Sequence, residues 1–338
     1  MVTAESDFLK IEDNFAKTKD IRSICMVERT SHQDAKVTIA IPTYNGGEAL
    51  VQAVNSALAQ VGYDDYNILI VDNNPESTLS LSEFSSSVFV DNSEDRRSRI
   101  SIYCNEQNIG MCGNWNRCLE LSKSKWTVML HDDDSILSNY LKEVMKIVDA
   151  RPNAGIVQTA RTDYHIPNIE SAKLPFERFC LLDIFPGGQL HAPTGMLMRT
   201  EYIKNLGGWN ENHTNLFDYW FSALFLVHYP VYVTPLKLTN YRFSLDRYPH
   251  DVRITLLTSE YWLFLKAMLY CGFPKSFAYA RSAMLVADLC KLFGISYSDL
   301  PFAVSSYSEA MTSWARRYFK YARIFMHKWV NVKDKLQN

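Results

Sequence analysis

The stretch Trp126-Thr-Val-Met-Leu-His-Asp-Asp-Asp-Ser-Ile-Leu137 joins an apolar run to a dense cluster of negative charge. The run from Trp126 to Leu130 is typical of a buried β-strand. Asp132, Asp133 and Asp134 follow, and adjacent carboxylates repel one another unless a cation or hydrogen-bond donors offset their charge. Mg²⁺ and Mn²⁺ favour oxygen ligands and often bridge carboxylates to phosphates. The cluster predicts a metal and phosphate site or, as the simpler alternative, one helix-capping Asp beside two solvated ones.

Composition narrows the class of protein. A chain of 338 residues suits one large or two modest domains, and its formal net charge of −2 gives no general attraction to nucleic acid, so no nucleic acid partner is expected. Seven scattered cysteines without CxxC pairs indicate reduced thiols. Residues 1–36 lack the apolar core of a signal peptide, and the most apolar stretches, 220–233 and 261–273, are interrupted by polar residues or proline. We therefore expect a cytoplasmic protein.

Strands and helices alternate from residue 37 to about residue 158. Short runs rich in branched residues predict strands at 37–41, 67–71, 100–104, 126–130 and 156–158, and apolar stripes predict helices after Gly47, over 110–121, where Met111, Trp115, Cys118 and Leu119 share one side, and over 138–150. This alternation predicts a parallel α/β sheet with right-handed crossovers.

Polar residues gather where these strands end. In parallel sheets, ligands bind beyond the carboxyl ends of the strands. The residues that fall there are Tyr44, Asn45, Asp72, Asn73, Asn108 and the three aspartates. Their convergence favours a binding site over a simple helix cap. The chain has neither a GxGxxG nor a GxxxxGK[ST] motif, so a dinucleotide or P-loop site is not expected.

Two features of the second half of the chain allow a functional and a structural interpretation. Asp218 lies near the start of a predicted helix, 215–228, among four aromatic residues, where it is either a base with a raised pKa or a residue that favours the helix dipole. From residue 254 the pattern is helical, and the last helix, 311–330, carries an aromatic stripe beside a basic face. That helix suits either an anionic membrane surface or core packing with a solvated basic side.

The order of five motifs resembles the family 2 glycosyltransferases of the bacterial surface-polysaccharide type, which are inverting enzymes with the GT-A fold. The motifs, within residues 36–245, are Ile39-Ala-Ile-Pro-Thr-Tyr-Asn45, Leu69-Ile-Val-Asp72, the segment 105–116, Leu130-His-Asp-Asp-Asp134 and Gly207-Gly-Trp-Asn-Glu211. The resemblance implies a Rossmann-like mixed sheet flanked by helices. It also implies an N-terminal extension (1–36), a catalytic domain (37–250, with a nucleotide half 37–160 and an acceptor half 161–250) and a helical C-terminal region (251–338).

The resemblance also implies a role for each matching residue. The nucleotide-binding residues would be Pro42, Thr43, Tyr44, Asn45, Asp72, Asn108, Gly110, Asn116, Asp132 and Asp133. Mn²⁺ or Mg²⁺ would bind to Asp132 and Asp134, with Asp133 as an alternative ligand. Asp218 would be the general base. The residues that contact the acceptor or the donor sugar would be Thr194, Gly195, Trp209 and Arg242.

Three positions depart from the family pattern. His131 replaces the first Asp of the usual Asp-x-Asp-Asp, so the register of the metal ligands is open. Phe217 replaces the Glu that usually precedes the base, Asp218. A His usually follows Tyr-Arg-x, but Ser244 stands there, and His250 is only a weak substitute.

The implied activity is that of a hexosyltransferase that moves a sugar, with inversion, from a UDP- or dTDP-linked donor to a hydroxyl of a glycan or lipid-linked acceptor. Segment 310–330 would hold it on the inner face of a membrane. The alternative is a catalytically silent nucleotide-sugar binder within a glycan-assembly complex, which Phe217 and the missing His favour. A nucleotidyltransferase would normally show a Gly-rich N-terminal loop with a Lys, which this chain lacks.

Overall fold

A computed structural model describes residues 10–77, 79–80, 94–161, 176–179, 193–213, 217–242, 249–270 and 272–301. Its strands are β1 (Ser23–Val27), β2 (Val37–Thr43), β3 (Tyr66–Asp72), β4 (Ile100–Asn105), β5 (Trp126–Met129), β6 (Ser135–Ile136), β7 (Ile156–Arg161), β8 (Glu177–Phe179), β9 (Met196–Arg199) and β10 (Val231–Asn240). Its α-helices are α1 (Glu48–Leu58), α2 (Glu94–Arg97), α3 (Gly110–Leu121), α4 (Tyr140–Ala150), α5 (Thr200–Asn205), α6 (Phe217–His228), α7 (His250–Tyr270) and α8 (Lys275–Phe293). Short 3₁₀ helices lie at Phe15–Thr18, Glu211–His213 and Tyr297–Asp299.

All ten strands belong to one sheet, which is parallel in one half and mixed in the other. Its order is β1-β4-β3-β2-β5-β9-β7-β10-β6, and β8 pairs with β10. Strands β4, β3, β2 and β5 run parallel, so the predicted parallel α/β arrangement is confirmed for the first half of the chain. Strand β9 runs antiparallel to β5 and β7, and β10 is parallel to β7. The mixed sheet that the family resemblance implies is thus confirmed.

Helices cover both faces of this sheet. Every residue of β2 and β3 is buried, which explains why these strands read as continuous apolar runs. Helices α1 and α4 pack on one face. On the other face, α3, α5 and α6 form a core that continues into α7 and α8. None of the described helices is long and apolar enough to cross a membrane.

The described part of the N-terminal extension is attached to the sheet. Strand β1, which the sequence did not predict, pairs antiparallel with the edge strand β4. The buried Arg117 guanidinium on α3 donates to the backbone oxygens of Thr18 (2.9 Å) and Ile21 (2.8 Å). The backbone N–H of Asn14 donates to the Gly207 oxygen at 3.0 Å. Residues 10–36 are therefore part of the packed structure.

One predicted helix face is wrong by one position. Helix α3 spans the predicted residues, but Met111 is 59% exposed and Cys112 is buried in its place, with Trp115, Cys118 and Leu119. The side chain of residue 112 therefore faces the core, whereas the side chain of residue 111 faces solvent. The predicted terminal helix 311–330 and His191 lie outside the described residues, as does most of 166–190.

Candidate active site

Asparagine side chains connect the carboxyl ends of β3 and β4 to the start of α3. The Asn73 amide nitrogen donates to Asn108 Oδ1 at 2.7 Å and to the Gly110 oxygen at 3.2 Å. Asn73 Oδ1 accepts from Asn105 Nδ2 at 3.0 Å. These bonds position the exposed Asn108–Gly110 turn, whose glycine has a φ of +74°, at the predicted nucleotide edge.

A second amide anchors α3 beneath that edge. The buried Asn114 Nδ2 donates to the backbone oxygens of Thr43 (3.3 Å) and Val71 (3.0 Å), at the ends of the adjacent strands β2 and β3. Its Oδ1 accepts from Asn105 Nδ2 at 2.9 Å. Because these buried groups are hydrogen-bonded, the polar floor of the site is stable without a ligand.

The residues predicted to hold the nucleotide base lie near these buried asparagines. Asp72 is 3% exposed, and its carboxylate accepts from the Asn74 backbone N–H (3.0 Å) and Ser77 Oγ (2.5 Å). Pro42 is buried, whereas Tyr44 is 48% exposed and Asn45 is exposed. The Tyr44 ring therefore offers an open aromatic face above a buried polar turn.

Asp132 belongs to the β2 side of the acidic loop. Thr43 Oγ1 donates to Asp132 Oδ2 at 2.6 Å. Burial raises the pKa of Asp132, the bond from Thr43 opposes that rise, and the charges of Asp133 and Asp72 add to it. Asp132 thus spans from the predicted base-binding residues to the acidic cluster.

His131, Asp133 and Asp134 form the group of described residues that could hold a metal ion. One ligand atom from each lies within 4.8 Å of the other two, and His131 Nδ1 is 3.6 Å from Asp134 Oδ2. Metal ligands at about 2.0–2.2 Å lie about 4 Å apart across the ion, so the group fits a divalent cation after a small contraction. One imidazole and two carboxylates suit Mn²⁺ chemically.

This grouping differs from the favoured Asp132–Asp134 pair. Among the described residues, Asp132 is not part of the metal-type group, because Thr43 holds its carboxylate towards β2. Asp134 is 3% exposed and its Oδ1 accepts from the Arg242 backbone N–H at 2.9 Å. Asp133, the predicted alternative ligand, takes the second carboxylate position.

The residues before β9 are hydrogen-bonded to the end of β5 and to the acidic loop that follows it, 131–134. Thr194 Oγ1 accepts from the His131 backbone N–H at 3.2 Å. The Gly195 N–H donates to the Met129 oxygen, and the Gly195 oxygen accepts from the buried Tyr140 hydroxyl, both at 2.8 Å. These bonds make Thr194 and Gly195 positioning residues, and a sugar contact by either stays a prediction.

Aromatic rings connect the acidic loop to α6. The Trp115 ring stacks on His131 with 4.8 Å between centroids and makes edge contacts with Trp209 (5.4 Å) and Phe217 (5.0 Å). Phe217 immediately precedes Asp218, so the ring cluster sets the position of the predicted base relative to His131. In the Glu position of the family pattern, Phe217 contributes packing and no charge.

Trp209 and Asn116 are buried and bond to each other. Trp209 is only 1% exposed, which leaves its ring no face for a sugar. Both amide atoms of Asn116 bond to the Trp209 backbone at 2.8 Å. Asn116 therefore positions the Gly-Gly-Trp turn, and the assignment to nucleotide contact is not supported by its bonds.

Asp218, the second residue of α6, is half-buried. Its charge contributes, after burial, to raising the pKa of Glu260 on α7 to about 8. Burial likewise raises the pKa of the Cys112 thiol, with Glu211 and Asp218 adding to the effect. Sequence reasoning missed Glu260, although a lone acidic residue in the apolar stretch 256–265 was a visible signal.

Arg242 and His250 have defined partners. Arg242 Nη2 donates to Gln52 Oε1 on α1 at 2.6 Å, so its guanidinium connects the residues after β10 to α1. His250 Nε2 is 3.7 Å from Asp299 Oδ2. His250 therefore pairs outside the acidic cluster and does not replace the missing family His.

The comparisons with known proteins agree with this fold. The sequence model described as Glycosyl transferase family 2 matches residues 38–207, half of the chain. The chain belongs to this family, whose members transfer sugars from nucleotide sugars. No curated protein sequence gives a significant match.

Two solved structures of a TarS fragment share the fold at low identity. The S. aureus TarS fragment 1–349 in complex with UDP has a TM-score of 0.55 and 17% identity, covering 78% of this chain and 73% of that fragment. The same fragment with UDP-GlcNAc has a TM-score of 0.56 and 14% identity, covering 76% and 73%. The Pyrobaculum calidifontis mannosyltransferase PcManGT, in complex with GDP-Man and Mn²⁺, has a TM-score of 0.46 and 16% identity over 93% of this chain and 92% of its own.

Proposed function

We propose that this protein is a metal-dependent, inverting hexosyltransferase. It transfers a sugar from a UDP- or dTDP-linked donor to a hydroxyl of a glycan or lipid-linked acceptor. The observation that carries the proposal is the connection of two groups through one ring. Trp115 contacts both His131, in the metal-type group, and Phe217, which precedes the carboxylate of Asp218. A cation that offsets the charge of the leaving group and a base that takes the acceptor's proton are together sufficient for a one-step displacement.

The nucleotide would lie along the edge formed by β2, β3 and α3. The exposed Tyr44 ring can stack on a base, and the Asn108–Gly110 turn presents backbone groups at the start of α3. Helix N-termini favour anions such as phosphates. TarS, which shares the fold, binds UDP and UDP-GlcNAc, and this supports a uridine or thymidine nucleotide.

His131, Asp133 and Asp134 would hold Mn²⁺ or Mg²⁺. When bound, such a cation offsets charge on a diphosphate leaving group. Arg242 would add a positive charge near the sugar or the diphosphate. Its backbone N–H donates to Asp134, and its guanidinium donates to Gln52 on α1.

Asp218 would accept the proton of the attacking acceptor hydroxyl. Direct displacement needs no covalent intermediate, so no Ser or Cys nucleophile is required. The charge of Asp218 acts on the Cys112 thiol. Burial raises the pKa of this thiol, so Cys112 stays neutral and is a poor nucleophile. The family resemblance places its base at the position of Asp218, and this is the ground for the assignment.

The first prediction tests the assignment of Asp218 as the general base. Asp218→Asn should lower kcat by about 10²–10⁴-fold, because loss of a general base removes that much acceleration. Activity is measured on a panel of nucleotide sugars with Mn²⁺, and UDP binding by calorimetry confirms an intact site. Asp149→Asn, which removes an exposed carboxylate on α4, is the matched control. Near-normal turnover in folded Asp218→Asn would contradict the assignment.

A silent nucleotide-sugar binder is the second candidate, because Phe217 brings no charge to the position where the family usually has Glu. The two functions differ in donor hydrolysis. An enzyme slowly transfers the sugar to water, whereas a silent binder binds the donor without releasing UDP.

A membrane-facing acceptor is a further part of the proposal. The sequence of 310–330 combines an aromatic stripe with basic residues, a composition that suits an anionic lipid surface. A lipid-linked acceptor on the cytoplasmic face would then be within reach of the enzyme.

A further inference from the structure

The turn 207–211 carries an aromatic ring that contacts two parts of the candidate site. Trp209 in this turn is 1% exposed, and its ring centre lies 5.4 Å from that of Trp115 and 5.0 Å from that of Phe221 on α6. Trp115 in turn stacks on His131 at 4.8 Å. The position of the turn therefore affects both the metal-type group and the helix that carries the predicted base.

The N-terminal extension bonds directly to this turn. Residues 12–17 are here called the N-terminal clasp. The backbone N–H and the Nδ2 group of Asn14 both donate to the Gly207 oxygen, at 3.0 and 3.1 Å. A Cβ at Gly208 would lie 2.9 Å from the Phe15 ring, so the clasp and the turn approach each other more closely than a side chain at this position would allow.

The side chain of Asn210 is the main attachment point of the clasp. This residue is 4% exposed, its Oδ1 accepts from Lys17 Nζ at 2.9 Å, and its Nδ2 donates to Glu12 Oε2 at 3.2 Å. The same Oδ1 accepts from the Asn212 N–H at 3.0 Å. The pair between Lys17 and the exposed Glu211, at 3.9 Å, adds little by comparison. The clasp thus supplies a charged partner to each end of a buried amide, a group that is rarely left without hydrogen bonds.

Helix α3 anchors both the clasp and the turn. The buried Arg117 guanidinium donates to the oxygens of Thr18 and Ile21, directly after the clasp, and its Nε donates to Glu120 at 2.7 Å. One turn of helix before Arg117's own pair, Asn116 bonds to the backbone of the turn 207–211. The turn is therefore held by α3 and by the clasp together.

We propose that the N-terminal clasp sets the position of the turn 207–211, and that Lys17 is a positioning residue for sugar transfer. Lys17 acts through Asn210, whose neighbour Trp209 makes the ring contacts towards His131 and α6. Loss of the Lys17 bond removes one partner of the buried amide and lets the turn shift. This inference rests on the proposed function in treating the metal-type group and α6 as parts of one active site, but the hold of the clasp on the turn is independent of activity.

Hydrogen exchange measures this hold without any substrate. Lys17→Met removes the charged donor and keeps most of the length of the side chain. The Trp209 and Asn212 amides, which donate to side chains, should then exchange at least about fivefold faster, since a hydrogen bond from a charged donor contributes more than a neutral one. Lys17→Arg keeps a charged donor and should restore slow exchange. Lys19→Met, at an exposed lysine two residues further along, is the matched control and should leave exchange unchanged.

Kinetic constants test the positioning role. Activity is measured well below the lowest Tm, so that every variant is folded. Lys17→Met should lower kcat about tenfold, because a displacement of about 1 Å can cost up to about 10²-fold in rate. The Kd for UDP, measured by calorimetry, should not change, because the bonds of the clasp go to the turn and not to the nucleotide edge. In an Asn210→Ala background, Lys17→Met should lower kcat no further, because its route is already broken.

The outcomes separate this inference from the proposed function. Unchanged exchange in Lys17→Met, or equally fast exchange in Lys19→Met, overturns the clasp whatever the activity. Faster exchange with an unchanged kcat overturns the positioning role of Lys17, and so does a full further loss of kcat in the Asn210→Ala background. Faster exchange in a protein whose wild type has no transferase activity supports the clasp while the proposed function fails.

Discussion

The register of the acidic loop is decided at single residues. Asp132, Asp133 and Asp134 are chemically equivalent in sequence, and the structure separates them through their partners. Thr43 donates to Asp132, the Arg242 backbone donates to Asp134, and His131 lies 3.6 Å from Asp134. The favoured Asp132–Asp134 pair differs from the group of described residues that could hold a metal ion, His131, Asp133 and Asp134, and which of these carboxylates bind a cation stays a prediction. A side-chain bond from another strand cannot be read from the loop's own sequence.

The corresponding prediction concerns metal affinity. Asp133→Asn and Asp134→Asn should each weaken Mn²⁺ binding more than about tenfold in the presence of UDP, since loss of ligand oxygens or of their support costs at least this much. Asp132→Asn should weaken it by less than about threefold, because its carboxylate is held by Thr43. Free Mn²⁺ is measured by electron paramagnetic resonance. A loss confined to Asp132→Asn and Asp134→Asn would restore the pair expected from sequence.

Among the elements, α3 and the turn after α5 connect the site to the rest of the fold. Helix α3 contributes Asn114 to the strand ends, Trp115 to the ring cluster and Asn116 to the Trp209 backbone. The sequence predicted this helix at the right residues because apolar residues recur through it at helical spacing, although Met111 lies on the exposed side. It did not predict that three consecutive side chains would act in three directions, since each partner comes from a distant part of the chain.

The Gly207–Gly208 turn gives a prediction at this scale. Gly207 has a φ of +77°, and a Cβ there would collide with the Glu12 carbonyl oxygen of the N-terminal extension. Gly207→Ala should cost about 2–4 kcal/mol of unfolding free energy, the sum of the left-handed backbone cost and overpacking. The measurement is urea unfolding, with limited trypsin cleavage at Lys17 as a probe of the extension.

Gly272 provides the matched control. Its φ is +81°, but nothing lies within 4 Å of an added Cβ. Gly272→Ala should therefore cost only the backbone term of about 1–2 kcal/mol and leave cleavage at Lys17 unchanged. Equal costs at the two glycines would show that the extension does not depend on this contact.

For the whole molecule, the prediction concerns binding of the C-terminal segment 310–338 to an anionic membrane surface. Deletion of 310–338 should reduce binding to vesicles that contain anionic phosphatidylserine by at least about tenfold, because the basic residues of that segment supply the electrostatic attraction. Sedimentation with vesicles measures the bound fraction, and neutral phosphatidylcholine vesicles are the control. Undiminished binding of the deleted protein would contradict the membrane role of the segment.

The sequence by itself determined the fold class, the strands of the parallel half of the sheet and the family. Apolar runs, turn residues and motif order are local signals, and they are preserved in the chain whatever surrounds them. Only the tertiary structure decided which carboxylates of 132–134 share a group with His131, that β1 extends the sheet, that Trp209 is buried, and that Glu260 is buried within α7. These features depend on contacts between residues far apart in the chain, and the energy of a buried charge or ring is set by those contacts.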